Sequence, residues 1–183
     1  MRMKNCVFAT AFAAVLGYSL SVHAQDNIVE IMLADHLDEP RGYCLDIAGG
    51  RGANAPLDQG LQAHTCYNYT GRILEDQGFD ASLIESGEFK LPYFDVCAAV
   101  DEVKTQAKLV LEPCADTDQQ RFELDSDGHL AMKSQPDLCV TVSSTEKTEG
   151  RGGSPIHVMR PLDLQPCATD KAAYQTWVVH PLQ

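Results

Sequence analysis

Three times after residue 40 the chain writes one phrase: a cysteine followed by alternating apolar residues, a second cysteine closing a short apolar run, then Gln-x-aromatic. The first copy is Cys44-Leu45-Asp46-Ile47, Cys66 and Gln77-Gly78-Phe79; the second is Cys97-Ala98-Ala99-Val100, Cys114 and Gln120-Arg121-Phe122. The third is Cys139-Val140-Thr141-Val142, Cys167 and Gln175-Thr176-Trp177. A chain that repeats itself stacks copies of one supersecondary unit, which restricts its fold more tightly than any single motif does. The period is loose, with first cysteines 53 and 42 residues apart and glutamines 43 and 55 apart. Such differences fit in loops, where doubling the length costs only about 0.6 kcal/mol of closure entropy. The signal therefore lies in the order of elements.

Arg2 and Lys4, the apolar stretch from Cys6 to Val22 and the small-residue end Val22-His23-Ala24 read as an export signal cleaved after Ala24. The 14 residues from Val7 to Leu20 are too few to span a bilayer, which takes about 20. The expected organisation is a signal at 1–24 and one domain at 25–183, with repeats at about 41–91, 92–133 and 134–183. The expected location is secreted or periplasmic. Six of the seven cysteines remain in that domain, an even number that suits an oxidising compartment. Six cysteines allow 15 pairings, and the repeat singles out the one that stays local: Cys44 with Cys66, Cys97 with Cys114 and Cys139 with Cys167. A zinc site would call for tight pairs such as Cys-x-x-Cys, and the sequence has none. No metal or cofactor is expected.

Loss of Arg2 and Lys4 takes the formal charge from −12 to −14. Such a surface repels phosphate backbones and anionic lipid, so neither nucleic acid nor membrane insertion is expected. Twelve short runs, among them Ile28 to Leu33, Tyr43 to Ile47, Val96 to Val100 and Leu138 to Val142, are bounded by Gly, Pro, Asp and Asn. That pattern predicts an all-β chain, and no stretch of the domain sustains a helical period over three turns. Two segments read as loops: the polar, Gly-rich Thr145 to Ser154, and Tyr67 to Glu75, an insertion in the first repeat that carries Tyr67 and Tyr69.

The threefold order of Cys-Leu-Asp-Ile, an apolar run ending in Cys, and Gln-x-Trp or Gln-x-Phe resembles the ricin B-type lectins, and it covers the chain from about Arg41 to Val179. The resemblance implies a β-trefoil, with the Gln-x-aromatic side chains in its core, and shallow sugar pockets, at most one per repeat. In a working pocket of that family, the Asp of the Cys-x-Asp strand accepts hydrogen bonds from sugar hydroxyls. An aromatic two residues before the second Cys stacks on the ring, and the residue before the Gln adds a polar contact.

Set against that pattern, the first repeat supplies Asp46, Gln62, His64, Asp76 and Gln77, and becomes the expected carbohydrate pocket. Asp46 and Asp76 would accept, Gln62 would hydrogen-bond and His64 would be the platform, with Tyr67 and Tyr69 as additional stacking contacts. The second repeat has Ala99 in place of the acceptor, and the third has Thr141, with Asp163, Gln165 and Tyr174 nearby, a degenerate polar pocket.

No nucleophile setting such as Gly-x-Ser-x-Gly and no His-Glu-x-x-His occurs, so catalysis is not expected. The carboxylate pair leaves glycoside hydrolysis as a remote alternative. A protein-binding trefoil, an inhibitor or a toxin-delivery subunit, is the nearer one, and a partner subunit fits either non-enzymatic reading. Convergence of Asp46, Gln62, His64 and Asp76 on an open pocket would favour sugar; burial and pairing of Asp46 would favour protein.

Overall fold

The computed structural model describes residues 27–152 and 154–182; the expected export signal lies outside the described residues. In the first repeat, β1 (Ile28–Leu33) leads into β2 (Tyr43–Ile47), β3 (Leu61–Thr65), β4 (Phe79–Asp80) and a one-turn helix α1 (Ala81–Ile84). Next come β5 (Lys90–Leu91), β6 (Val96–Val100), β7 (Leu109–Pro113), β8 (Phe122–Leu124) and β9 (Leu130–Met132). The third repeat holds β10 (Gln135–Val142), β11 (Thr148–Glu149), β12 (Val158–Arg160), β13 (Leu162–Pro166), a one-turn helix α2 (Ala172–Gln175) and β14 (Trp177–Pro181). The described chain is thus built of short strands, as its turn-bounded apolar runs predict.

Each repeat is organised on one antiparallel pair: β2 with β3, β6 with β7 and β10 with β13. The register repeats too. Cys44 faces His64, Cys97 faces Glu112 and Cys139 faces Gln165, so the second cysteine lies two residues beyond the first one's partner in every repeat. The three local disulfides form as expected, with Cα–Cα distances of 5.0, 4.9 and 5.1 Å.

The glutamines of the three triplets explain why the phrase is written three times. Gln120 accepts from the Ala115 N–H at 2.7 Å and donates to the Pro113 carbonyl at 3.1 Å. Gln175 accepts from the Ala168 N–H at 2.9 Å and donates to the Pro166 carbonyl at 3.0 Å. Gln77 does the same with the Tyr67 N–H at 3.2 Å and the Thr65 carbonyl at 3.0 Å. Each buried amide satisfies a donor and an acceptor where the chain leaves its strand, a requirement for any enclosed backbone group. The aromatic two residues on then points inward: Phe79, Phe122 and Trp177 are all buried. Phe89 bridges Phe79 and Phe122 edge to face, with centroids 6.4 and 5.7 Å away, a preferred geometry for aromatic pairs.

Strand β1 pairs with β14 along its length, from Val29 opposite Pro181 to Leu33 opposite Trp177, and so joins the first repeat to the end of the third. Repeats also touch backbone to backbone. At Gly87, with φ at +87°, a Cβ would lie 2.4 Å from the Phe122 carbonyl oxygen, so glycine is required there twice over. Three Cys-strand, Cys-strand, Gln-x-aromatic units around one apolar core make the β-trefoil.

The Thr145–Ser154 segment is less plain than its composition suggests. It contains β11, which pairs with β12, and β12 pairs in turn with β3 of the first repeat, placing Met159 opposite His64. The third repeat thereby extends the first repeat's sheet. That pairing brings third-repeat residues against His64.

Candidate functional site

Asp46 and Gln62 face each other across β2 and β3. Gln62 donates from Nε2 to Asp46 Oδ1 at 2.8 Å. Asp76 precedes Gln77 and receives the backbone N–H groups of Gly52 at 2.7 Å and Arg51 at 3.4 Å on Oδ2. Both acids are fully buried, and among the described residues Asp46 Oδ2 and Asp76 Oδ1 find no hydrogen-bond partner. Burial first, and then the charge of Asp76, push the Asp46 carboxyl well above the ordinary carboxylate range. Burial raises Asp76 as well, against the pull of the backbone N–H groups of Gly52, Arg51 and Asp76 itself. The expected acceptors thus come together, but in an enclosed space instead of a shallow open pocket.

His64 departs further from expectation. It is only 5% exposed. The Tyr67 ring stacks on it at 5.3 Å with 29° between planes, and His157 meets it edge-on at 5.2 Å. Its Nδ1 lies 2.8 Å from the Thr65 carbonyl and 3.1 Å from Gln77 Nε2. Burial drives its pKa down to about 4, so the ring is neutral. His64 is therefore a packed imidazole whose ring is covered by Tyr67 and His157 instead of standing open as a platform. Gln77, an expected sugar contact, is buried, and its amide makes the same two backbone bonds as Gln120 and Gln175.

The two tyrosines separate. Tyr67 is half-buried over His64, whereas Tyr69 is 50% exposed. Tyr69 Oη lies 2.9 Å from His157 Nε2, and the Arg41 guanidinium sits 5.3 Å from the Tyr69 ring centre. Arg41 is fixed by Glu39 at 2.6 Å and donates to the carbonyls of Pro155 and Ile156 at 3.1 and 2.7 Å, which holds His157 over the first repeat. His157 belongs to the third repeat's loop and carries no motif, so sequence reasoning missed it.

The third repeat is open. A cavity of about 500 Å³ is lined by Thr141, Glu146, Asp163, Gln165, Lys171 and Tyr174 among others. Thr141 stands where the family has Asp, yet its hydroxyl is engaged, donating to the Cys139 carbonyl at 2.9 Å and accepting from Gln175 at 2.8 Å. The carboxylate is supplied instead by Asp163, directly opposite Thr141 on β13. Gln165 donates to Asp163 Oδ2 at 2.5 Å, an Asp–Gln pair like that of Asp46 and Gln62. Burial raises the Asp163 carboxyl, against the Gln165 hydrogen bond and then the charge of Lys171. The second repeat has Ala99 opposite Val110 and offers no acceptor at these positions, as expected.

Two groups of residues with metal-ligand atoms lie close together among the described residues, Glu30 with Cys44 and Cys66, and Glu88 with Cys97 and Cys114. Their cysteines are bound in disulfides and are not free to ligate.

No curated protein matches this sequence. Solved structures do match in fold. The agglutinin of Abrus precatorius superposes with a TM-score of 0.56 at 18% identity over 86% of this chain, which spans 48% of the agglutinin chain. A mutant C-terminal domain of an earthworm lectin, solved with 6'-sialyllactose, gives 0.55 at 15% identity over 84% of this chain and 98% of its own. The β-trefoil lectin of the Vibrio vulnificus hemolysin/cytolysin, solved with N-acetyl-D-lactosamine, gives 0.51 at 17% identity over 86% and 96%. The family model for the ricin-type β-trefoil lectin domain matches residues 36–150 and 85–182, which together take in the whole threefold repeat. With the fold, the braced Gln-x-aromatic triplets and that match in agreement, the chain belongs to the ricin-type β-trefoil lectin domain family.

Proposed function

We propose that the protein is an exported carbohydrate-binding module without catalytic activity, and that it receives sugar first in the open cavity of the third repeat. The observation that carries this reading is the Asp163–Gln165 pair in a cavity large enough for a saccharide, beside the half-buried ring of Tyr174. A carboxylate suits vicinal hydroxyls because charge-assisted hydrogen bonds are roughly twice as strong as neutral ones. The aromatic ring offers a face for the apolar side of a pyranose. Export through residues 1–24 belongs to the same reading, supported by three disulfides that suit an oxidising compartment. The first repeat's Asp46, Gln62 and Asp76 form a second proposed site, enclosed at rest.

Asp163→Ala removes the acceptor and should weaken binding by about 1.5–3 kcal/mol, or about ten- to a hundredfold. A glycan array followed by calorimetry on the best ligand measures it, with Glu112→Gln on the exposed second repeat as control. Unchanged affinity in Asp163→Ala overturns the third-repeat assignment. The burial of Asp46 favours one second reading, a trefoil that presents its loops to a protein partner. A silent array would select it.

A further inference from the structure

The residue after the second cysteine is braced by the triplet glutamine in all three repeats, and in two of them it is alanine: Ala115 and Ala168. In the first repeat it is Tyr67. The one repeat whose acceptor set is complete therefore carries a large aromatic where the others carry a methyl group. We propose that Tyr67 is an internal occupant of the first-repeat pocket, stacked on His64 where a saccharide ring would lie, and that its side chain must rotate away before the buried oxygens of Asp46 and Asp76 can receive vicinal hydroxyls. The proposal rests on the carbohydrate reading above and concerns the control of its second site.

Three observations carry it. Tyr67 and His64 are stacked face to face, at 5.3 Å and 29°. Asp46 Oδ2 and Asp76 Oδ1 are buried without partners among the described residues, a costly state for acceptors unless a ligand completes them. The Tyr67 phenol is raised by burial and then by the charges of Asp46 and Asp76, which places it in the field of both acids. The backbone beneath is held firmly. Glu30 is fully buried and accepts the N–H groups of Tyr67 at 2.9 Å and Asn68 at 3.1 Å on one oxygen, while His180 lies 3.0 Å from the other. The main chain stays braced, so the pocket opens by rotation of the Tyr67 side chain.

The substitution Tyr67→Ala puts into the first repeat what the fold already carries at Ala115 and Ala168. The test is made in an Asp163→Ala background, so that binding at the third repeat does not mask the result. Galactose, N-acetylgalactosamine, glucose and mannose methyl glycosides serve as probes in calorimetry. Asp163→Ala/Tyr67→Ala should bind at least one probe at least about tenfold more tightly than Asp163→Ala, and adding Asp46→Asn should abolish the gain. No gain for any probe in a folded double variant, or a gain that survives Asp46→Asn, overturns the proposal. Should the double variant not fold, ring-labelled tyrosine NMR of the intact protein decides: a Tyr67 resonance that moves at saturating probe supports rotation, and one that never moves overturns it. Failure of the third-repeat reading would instead appear as wild-type binding indifferent to Asp163→Ala.

Discussion

Trp177→Ala should cost about 3–5 kcal/mol of stability, the usual range for truncating a buried Trp or Phe. Trp177 is 1% exposed and sits in the same apolar core as Phe79 and Phe122. Its indole Nε1 donates to the Val140 carbonyl at 3.0 Å, and its backbone N–H donates to Gly128 at 2.6 Å. The substitution thus opens a cavity and also strips a buried carbonyl of its partner. For a domain of this size a loss of 1 kcal/mol lowers Tm by about 2–4 °C, so a fall of roughly 6–20 °C is expected. Thermal unfolding with the disulfides intact measures it. A fall below about 2 °C would show that the third aromatic does not close the core.

Acidification should destabilise the protein through His64. Its folded pKa of about 4 lies below the ordinary histidine value, so its contribution is fully present above about pH 6.5 and is lost as pH falls toward 4. At 1.36 kcal/mol per unit the loss approaches about 3 kcal/mol. Asp46 works in the opposite sense. Its folded pKa is raised, so its contribution is full below the ordinary carboxylate value and is lost as pH rises through the folded one. Wild type should therefore show a shallow fall in Tm between pH 6.5 and 4. Asp46→Asn should steepen that fall by removing the opposing group, and His64→Gln should flatten or reverse it. Identical Tm profiles for wild type and His64→Gln would show that the imidazole is not neutral and enclosed in solution.

Asp46→Asn is also informative near neutral pH, because it removes a fully buried carboxyl that lies in the field of Asp76. If the buried oxygens await a ligand, the variant gains stability as it loses its binding partner, the usual sign of strain held at a site.

Much of the architecture was legible in the residues. The order of the repeated elements, with each bridge kept inside its own repeat, was enough to pair Cys44 with Cys66, Cys97 with Cys114 and Cys139 with Cys167. Strands β1, β2 and β6 begin and end where the apolar runs do. The Gln-x-aromatic triplets marked the core because both side chains are dictated locally: the amide braces a chain that has just left its strand, and the ring two residues later points inward. Asp46 and Gln62 share a face because they stand opposite each other on paired strands, whereas Asp76, which lies outside the strands, was reached only through the lectin resemblance.

What the chain's own pattern could not record was whether that face would be open. Alternation along β2 distinguishes its two faces, yet all five residues are buried, because Tyr67 covers one neighbour and the Arg51–Gly52 backbone caps another. The pairing of β12 with β3 carries His157 from the third repeat onto the first, and nothing local to residue 157 announces it. Likewise the acceptor missing at Thr141 reappears across the strand pair at Asp163. Short-range period and covalent pairing determine which units form and how they stack, because each depends on neighbours in the chain. Enclosure of a site depends on insertions of irregular length arriving from other repeats, and their landing places exist only once the barrel has brought those repeats together.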